Sequence, residues 1–120
     1  MQGKPNKDRV LSMLGLATRS GTVVSGGFAT EEAVKRRKAY LVIIAEDASD
    51  NTRKKFSNMC RFHKVPLEYY SDKEMLGHAM GKEERSCLAV TDRGFADSIR
   101  KHLLDSKLDG GSKHGKNEST

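Results

Sequence analysis

Two runs, Leu41 to Ala45 and Cys87 to Thr91, are of strand length and almost unbroken in apolar character. Such runs belong to strands covered on both faces. The flanking segments are amphipathic. Val10, Leu11, Leu14 and Ala17 fall on one helical face, and Gly21 follows where that helix stops. Thr22 to Ser25 is short and β-branched, a strand from which Gly26-Gly27 turns the chain into a second helix running to Lys38. Ser49 or Asp50 caps a third helix whose Phe56, Met59, Cys60 and His63 share a face. Leu67 to Tyr70 follows Pro66 as a further short strand. Ser71-Asp72-Lys73-Glu74 then reads as an S-x-x-E capping box, opening a helix from Asp72 to Met80 with Gly81 at its C′ position. Phe95, Ala96, Ile99 and Leu103 place a last amphipathic helix behind the second buried strand. Helices alternating with short strands predict an α/β protein, a small three-layer α/β/α sandwich with helices on both faces of a central sheet.

Composition sets the limits of that domain. A chain of 120 residues, 36% apolar and 32% charged, makes one domain. A domain of this size buries roughly two thirds of its unfolded surface, so it folds without disulfide or metal staples. The expected domain is residues 1–105. From Ser106 to Thr120 there is one apolar residue, Leu108, against three glycines, which predicts a disordered polar tail with Lys107, Lys113 and Lys116 as weak helpers of anion binding. No apolar run approaches the roughly 18 residues that cross a bilayer, and the start MQGKPNKDRV lacks the apolar stretch of a signal peptide. The expectation is a cytoplasmic protein without a membrane partner. Cys60 and Cys87 each lie inside an apolar pattern and are expected as free, buried thiols.

Charge narrows the partner. The net charge is +6 and the pI about 9.4, which favours a polyanion. Five of the six net charges fall in the first 40 residues. The densest basic run, Lys35-Arg36-Arg37-Lys38, sits on the helix that opens with Ser25-Gly26-Gly27-Phe28. A glycine-led helix start offers free amides to an anion, and side chains further along the helix can hold a backbone lying beside it. The alternative is that these cations only partner the dipole at the helix C-terminus. The seven aromatic residues form no interleaved pattern of the kind that stacks bases on a sheet, so single-strand stacking is not favoured.

Catalytic and metal chemistry find little support. Glu46 and Asp47 follow the buried strand, at the edge where open α/β sheets place ligands. Paired carboxylates can act as acid and base or hold a metal, but no nucleophile or third ligand accompanies them. Their alternative role is to mark the strand's exit and favour the positive start of the third helix. Cys60-Arg61-Phe62-His63 is a lone C-x-x-H, and Cys87, His78 and His102 supply no second paired spacing for zinc. Gly26-Gly27 belongs to no phosphate-binding loop of the G-x-x-x-x-G-K-[ST] or G-x-G-x-x-G kind. No cofactor, metal or small-molecule substrate is expected.

The stretches LGLATRSGTVVSG, AYLVIIAEDAS and LGHAMGKEERSCLAVTDRGFA, over Val10 to Leu103, resemble the ribosomal-protein family of the L-seven-Ae and L-thirty-e type, particularly its small bacterial YlxQ-type members. The resemblance implies a mixed four-stranded sheet and non-catalytic binding of structured RNA, typically kink-turns. It also implies a grip by the start of the second helix, where a G-N-E-x-x-K pattern reads guanine edges and touches phosphate. That pattern falls here on Gly27-Phe28-Ala29-Thr30-Glu31-Glu32, and only the glycine matches. Phe28 stands for the amide, Ala29 for the carboxylate and Glu32 for the lysine. Alanine accepts no hydrogen bond from guanine, and glutamate repels phosphate, so weakened kink-turn discrimination is expected.

A second contact region implied by the resemblance is the loop Gly81 to Ser86, where Lys82 and Arg85 flank Glu83 and Glu84 and can touch phosphate; the alternative is a solvated connection. Glu46 and Asp47 are expected at the same edge. The leading expectation is thus a monomeric RNA-binding domain, ribosomal RNA included among its targets, using these segments and the Lys35 to Lys38 run. The competing one is a protein-interaction adaptor on the same fold.

Overall fold

Among the described residues, nine elements follow one another in the order expected from the hydrophobic pattern: α1 (Arg9–Arg19), β1 (Val23–Ser25), α2 (Gly27–Lys35), β2 (Leu41–Ile44), α3 (Asp50–His63), β3 (Leu67–Tyr69), α4 (Lys73–Ala79), β4 (Cys87–Val90) and α5 (Arg93–His114). The computed structural model describes residues 8–114. The strands form one sheet in the order β1-β4-β2-β3, parallel between β2 and β3 and antiparallel elsewhere. α2 and α3 pack together on one face, and α1 packs with α4 and α5 on the other. This is the mixed α/β/α sandwich that the sequence predicts.

The two apolar runs are the central strands. Every side chain of β2 and β4 is at most 1% exposed, and Leu41, Ile43, Ile44 and Leu88 are among the largest fully buried groups. Burying a side chain of that size is worth about 1.5–3 kcal/mol. Phe56 and Cys60 of α3, Val34 of α2, Leu14 of α1 and Ile99 and Leu103 of α5 complete the core. Both cysteines are free and buried, and burial pushes the Cys60 thiol up to about 11, so it stays neutral.

Three boundaries differ from the sequence reading. α2 ends at Lys35, with Arg36 as its C-cap and Arg37 in the left-handed region at φ 60°, so Arg37 and Lys38 lie beyond the helix. The capping box of α4 is replaced. Asp72, not Ser71, is the N-cap and accepts from the Met75 amide at 2.8 Å, while Ser71 adopts φ 63° and its carbonyl accepts from the Glu46 amide. An aspartate directly behind the serine caps as well as it does, and the turn leaving β3 needs Ser71 in a bent conformation. α5, finally, continues past the domain boundary drawn at Asp105 as far as His114, and Lys107 beyond that boundary holds Glu68 of β3 at 2.8 Å. Residues 115–120 of the expected polar tail lie outside the described residues.

Two contacts hold the loops that matter later. Gly77 of α4 lies against the loop before β4, where an added Cβ would overlap the Glu83 carbonyl. Tyr70 donates to the Asp8 carboxylate at 3.1 Å, and Asp8 also caps α1 through the Leu11 amide at 2.9 Å. Burial first, then the Asp8 charge, pushes the phenol up to about 12.

Gly77→Ala is expected to cost about 1–3 kcal/mol in urea unfolding and to move the amide resonances of residues 82–86. An unchanged midpoint and spectrum would mean that the loop does not rest on α4. The Tyr70 phenol has a folded pKa above its ordinary 10, so its contribution is complete below pH 10 and is lost as pH rises through 12. Tyr70→Phe should therefore cost about 1 kcal/mol at pH 7 and flatten the alkaline loss of stability over that window, as followed by denaturation against pH.

Candidate nucleic-acid interface

The strand directions bring the exits of β1, β2 and β3 and the entry of β4 to one end of the sheet. There the Gly26 amide donates to the Cys87 carbonyl at 3.0 Å, the Ala45 amide to the Ser86 carbonyl at 2.9 Å and the Glu46 amide to the Ser71 carbonyl at 2.8 Å. Gly26, Gly27, Phe28, Glu46, Asp47 and Arg85 thus share one edge, while Lys82 follows the end of α4, its amide donating to the Gly77 carbonyl at 2.8 Å.

Gly26 takes φ 92° and ψ 160° as the N-cap of α2, a conformation open to glycine. It offers no side-chain cap, and the Thr30 amide is the first to bond back, to the Gly26 carbonyl. The amides of the first turn therefore have no acceptor within the helix, and they lie at its positive end. Phe28, in that turn, is 79% exposed. Thr30, one turn in, is fully buried, and its hydroxyl has no oxygen or nitrogen partner; it lies against the Cys87 thiol.

Several of the expected contact residues are already engaged. Arg85 donates from Nε to Ser25 Oγ at 3.1 Å and from a terminal nitrogen to the Glu84 carbonyl at 3.0 Å, which clamps the loop to β1. Its backbone amide also donates to the Lys73 carbonyl at 3.1 Å. Lys82 is exposed, between the clamp and Gly81. Asp47 accepts from the Lys73 amide at 2.9 Å and so caps α4, whereas the sequence pointed it at the start of α3. The Glu46 carbonyl accepts from Arg53 at 3.0 Å, and that guanidinium lies 4.7 Å from the Tyr69 ring centre. Among the described residues, no three His, Cys, Asp or Glu side chains group as a metal site.

The basic run is not brought to this edge. α2 runs away from it, and a rise of about 1.5 Å per residue puts Lys35 roughly 12 Å from Gly27. Lys35 pairs with Glu31 at 2.7 Å and Arg36 with Glu32 at 3.0 Å, so Glu32 faces its own helix's cation. Glu31 also takes Lys55 of α3 at 2.7 Å, and the two ammonium groups hold its carboxyl down at about 2. Arg37 and Lys38 follow at the far end of the sheet, where the Tyr40 amide donates to the Val90 carbonyl.

Sequence reasoning passed over Ser25, Arg53 and Lys55. Each acts on a residue of another element, and no local spacing marks such a pairing.

Comparison with known proteins bears on this arrangement. The chain matches the description "Ribosomal protein L7Ae/L30e/S12e/Gadd45 family" over residues 8–100. It is 42% identical over 87 residues to a Bacillus subtilis protein named RNA-binding protein YlxQ, covering 72% of this chain and 87% of that one. A protein of the same name from Enterococcus faecium is 32% identical over 96 residues, 79% of this chain and 91% of that one. The solved structure of a Bacillus halodurans protein of unknown function superposes with a TM-score of 0.77 at 34% identity, over 79% of this chain and 96% of that one. A Giardia lamblia 15.5kD RNA binding protein shares the fold, with a TM-score of 0.70 at 19% identity over 90% of this chain and 92% of that one. With the match spanning α1 to α5 and the sheet order in place, the chain belongs to the ribosomal protein L7Ae/L30e/S12e/Gadd45 family.

Proposed function

We propose that this chain is a non-catalytic, RNA-binding domain that grips structured RNA across the edge formed by Gly26, Gly27 and Phe28 and the Lys82 to Arg85 loop. The observation that carries the reading is the uncapped start of α2, with its free amides, standing beside a loop whose position Arg85 clamps. The names of the Bacillus and Enterococcus relatives, both RNA-binding proteins, point to the same partner class. Free amides and Lys82 hold phosphate, while Glu46 and Asp47 shape the edge by capping and turning. Lys35, Arg36, Arg37 and Lys38 add charge at the other end of α2, within reach of an RNA longer than that helix.

Grip and base reading are separable here. The amides and cations hold a backbone of any sequence, whereas Phe28 and Ala29 offer no polar side chain to the guanine edges of a kink-turn and Glu32 repels phosphate. The domain accordingly favours structured RNA with a modest preference for kink-turns. Ribosomal RNA is one candidate target, and crosslinking in cells followed by RNA sequencing identifies the RNA bound.

Contact with roughly four to six phosphates should give a slope of log affinity against log salt near −4 to −5, measured by filter binding on a kink-turn hairpin. A flat salt response, or no binding at low salt, would remove RNA as the partner; partners that survive ribonuclease in a pull-down would then indicate the adaptor role. The triple substitution Phe28→Asn, Ala29→Glu, Glu32→Lys should raise the preference for a kink-turn over a plain hairpin by about 10-fold or more, since each bidentate contact is worth about 1–3 kcal/mol. An unchanged preference would place base reading elsewhere.

A further inference from the structure

The end of the sheet opposite the proposed edge carries a second concentration of charge, and there an aromatic side chain joins it. Phe62, in the last turn of α3, is 80% exposed, the most exposed large apolar residue among the described ones. It makes an edge-on contact with the neighbouring His63 at 4.9 Å between ring centres, and Arg61 and Lys64 on either side of that pair are exposed.

The Lys55–Glu31 ion pair fixes α3 against α2, with both helices starting at the same end of the sheet. Seven residues on from Lys55 comes Phe62, about 10 Å further along α3, while at the end of α2 the chain turns back and the Lys38 amide donates to the Ala33 carbonyl at 2.9 Å. Seven residues is two helical turns, so Phe62 lies on the same stripe of α3 as Lys55, the stripe that faces α2. At that level α2 has already ended at Lys35, which leaves Phe62 uncovered while Arg37 and Lys38 continue past the helix. Both helices end in a cation with left-handed backbone, Arg37 at φ 60° and Lys64 at φ 59°, positions where glycine would be unstrained. Tyr40, 45% exposed, follows the basic run after Ala39.

From this juxtaposition we infer a second nucleic-acid surface, in which Phe62 stacks on an unpaired base of single-stranded RNA while Arg37, Lys38, Arg61 and Lys64 hold the flanking phosphates. An exposed aromatic ring ringed by flexible cations is the arrangement that binds single strands without reading sequence. An A-form duplex offers no open base face for such a ring. A protein partner for this surface would have to be acidic, since the neighbours of the ring are cationic, and the polyglutamate arm of the test separates that occupant from RNA. The surface is distinct from the Gly26 edge, so a structured RNA can occupy one while its single-stranded extension occupies the other.

The test uses the full chain and a fluorescent oligouridylate of about 12 nucleotides, within the range that such grooves hold. Phe62→Ala should weaken binding by about 5- to 100-fold, Phe62→Trp should restore it, and Arg37→Glu with Lys38→Glu should weaken it and lower the salt slope. Phe62→Ala should leave binding of a kink-turn hairpin without overhangs unchanged. Because Phe62 is exposed, unfolding midpoints should not move. The inference is overturned if Phe62→Ala binds oligouridylate as the natural chain does, if only Phe28→Ala weakens it, or if a polyglutamate peptide binds equally well and depends equally on Phe62.

Discussion

The antiparallel pairing of β2 with β4 is the constraint on which the rest of the molecule depends. These two strands contribute no exposed side chain and sit between β1 and β3, so their register cannot slip without turning apolar groups toward water. Ile44 pairs with Cys87 and Leu41 with Val90. That register brings the exit of β2, at Glu46-Asp47, to the same end as the loop entering β4. β1, antiparallel to β4, then delivers Gly26 to that end. The same geometry sends the end of α2 and the end of α3 to the opposite one.

At the Gly26 edge, side chains that look chemical in the sequence mostly hold the scaffold. Asp47 closes α4, Arg53 and Ser71 turn the chain after β2 and β3, and Arg85 clamps its loop to β1. Gly77 lets that loop approach α4 closely, and Gly81, at φ 73°, lets the chain leave the helix. The segment Leu76 to Gly81 is thus a device for positioning the loop. What remains available to an anionic ligand is backbone amide, the exposed Lys82 and the exposed Phe28 ring, beside the exposed Glu46, Glu83 and Glu84. Backbone amides and a lysine bind anions without selecting bases, which is why the proposed activity is firm grip with little sequence reading.

Much of the fold was legible because it rests on local periodicity. The continuous runs at Leu41 and Cys87 marked the central strands, and the 3.6-residue spacing of Val10, Leu14 and Ala17 marked α1. Capping was legible only as a choice between neighbours: of Ser49 and Asp50, Ser49 is the N-cap of α3 and accepts from the Thr52 amide. At Ser71-Asp72 two residues competed, and the turn out of β3 decided between them. The length of α2 was overread because Lys35 to Lys38 all favour helix, while the connection to β2 requires a left-handed residue at Arg37.

The sequence by itself determined the order of elements, the two buried strands, the free thiols and the presence of excess positive charge, because each depends on residue type and short-range spacing. Only the tertiary structure decided where that charge acts. Strand direction and helix length placed Lys35 to Lys38 away from Gly26, at the end of the sheet where α3 also ends, and long-range hydrogen bonds assigned Asp47 and Arg85 to structural duties. Such pairings join residues that are 26 and 60 positions apart, distances over which the chain's pattern carries no information until the sheet is formed.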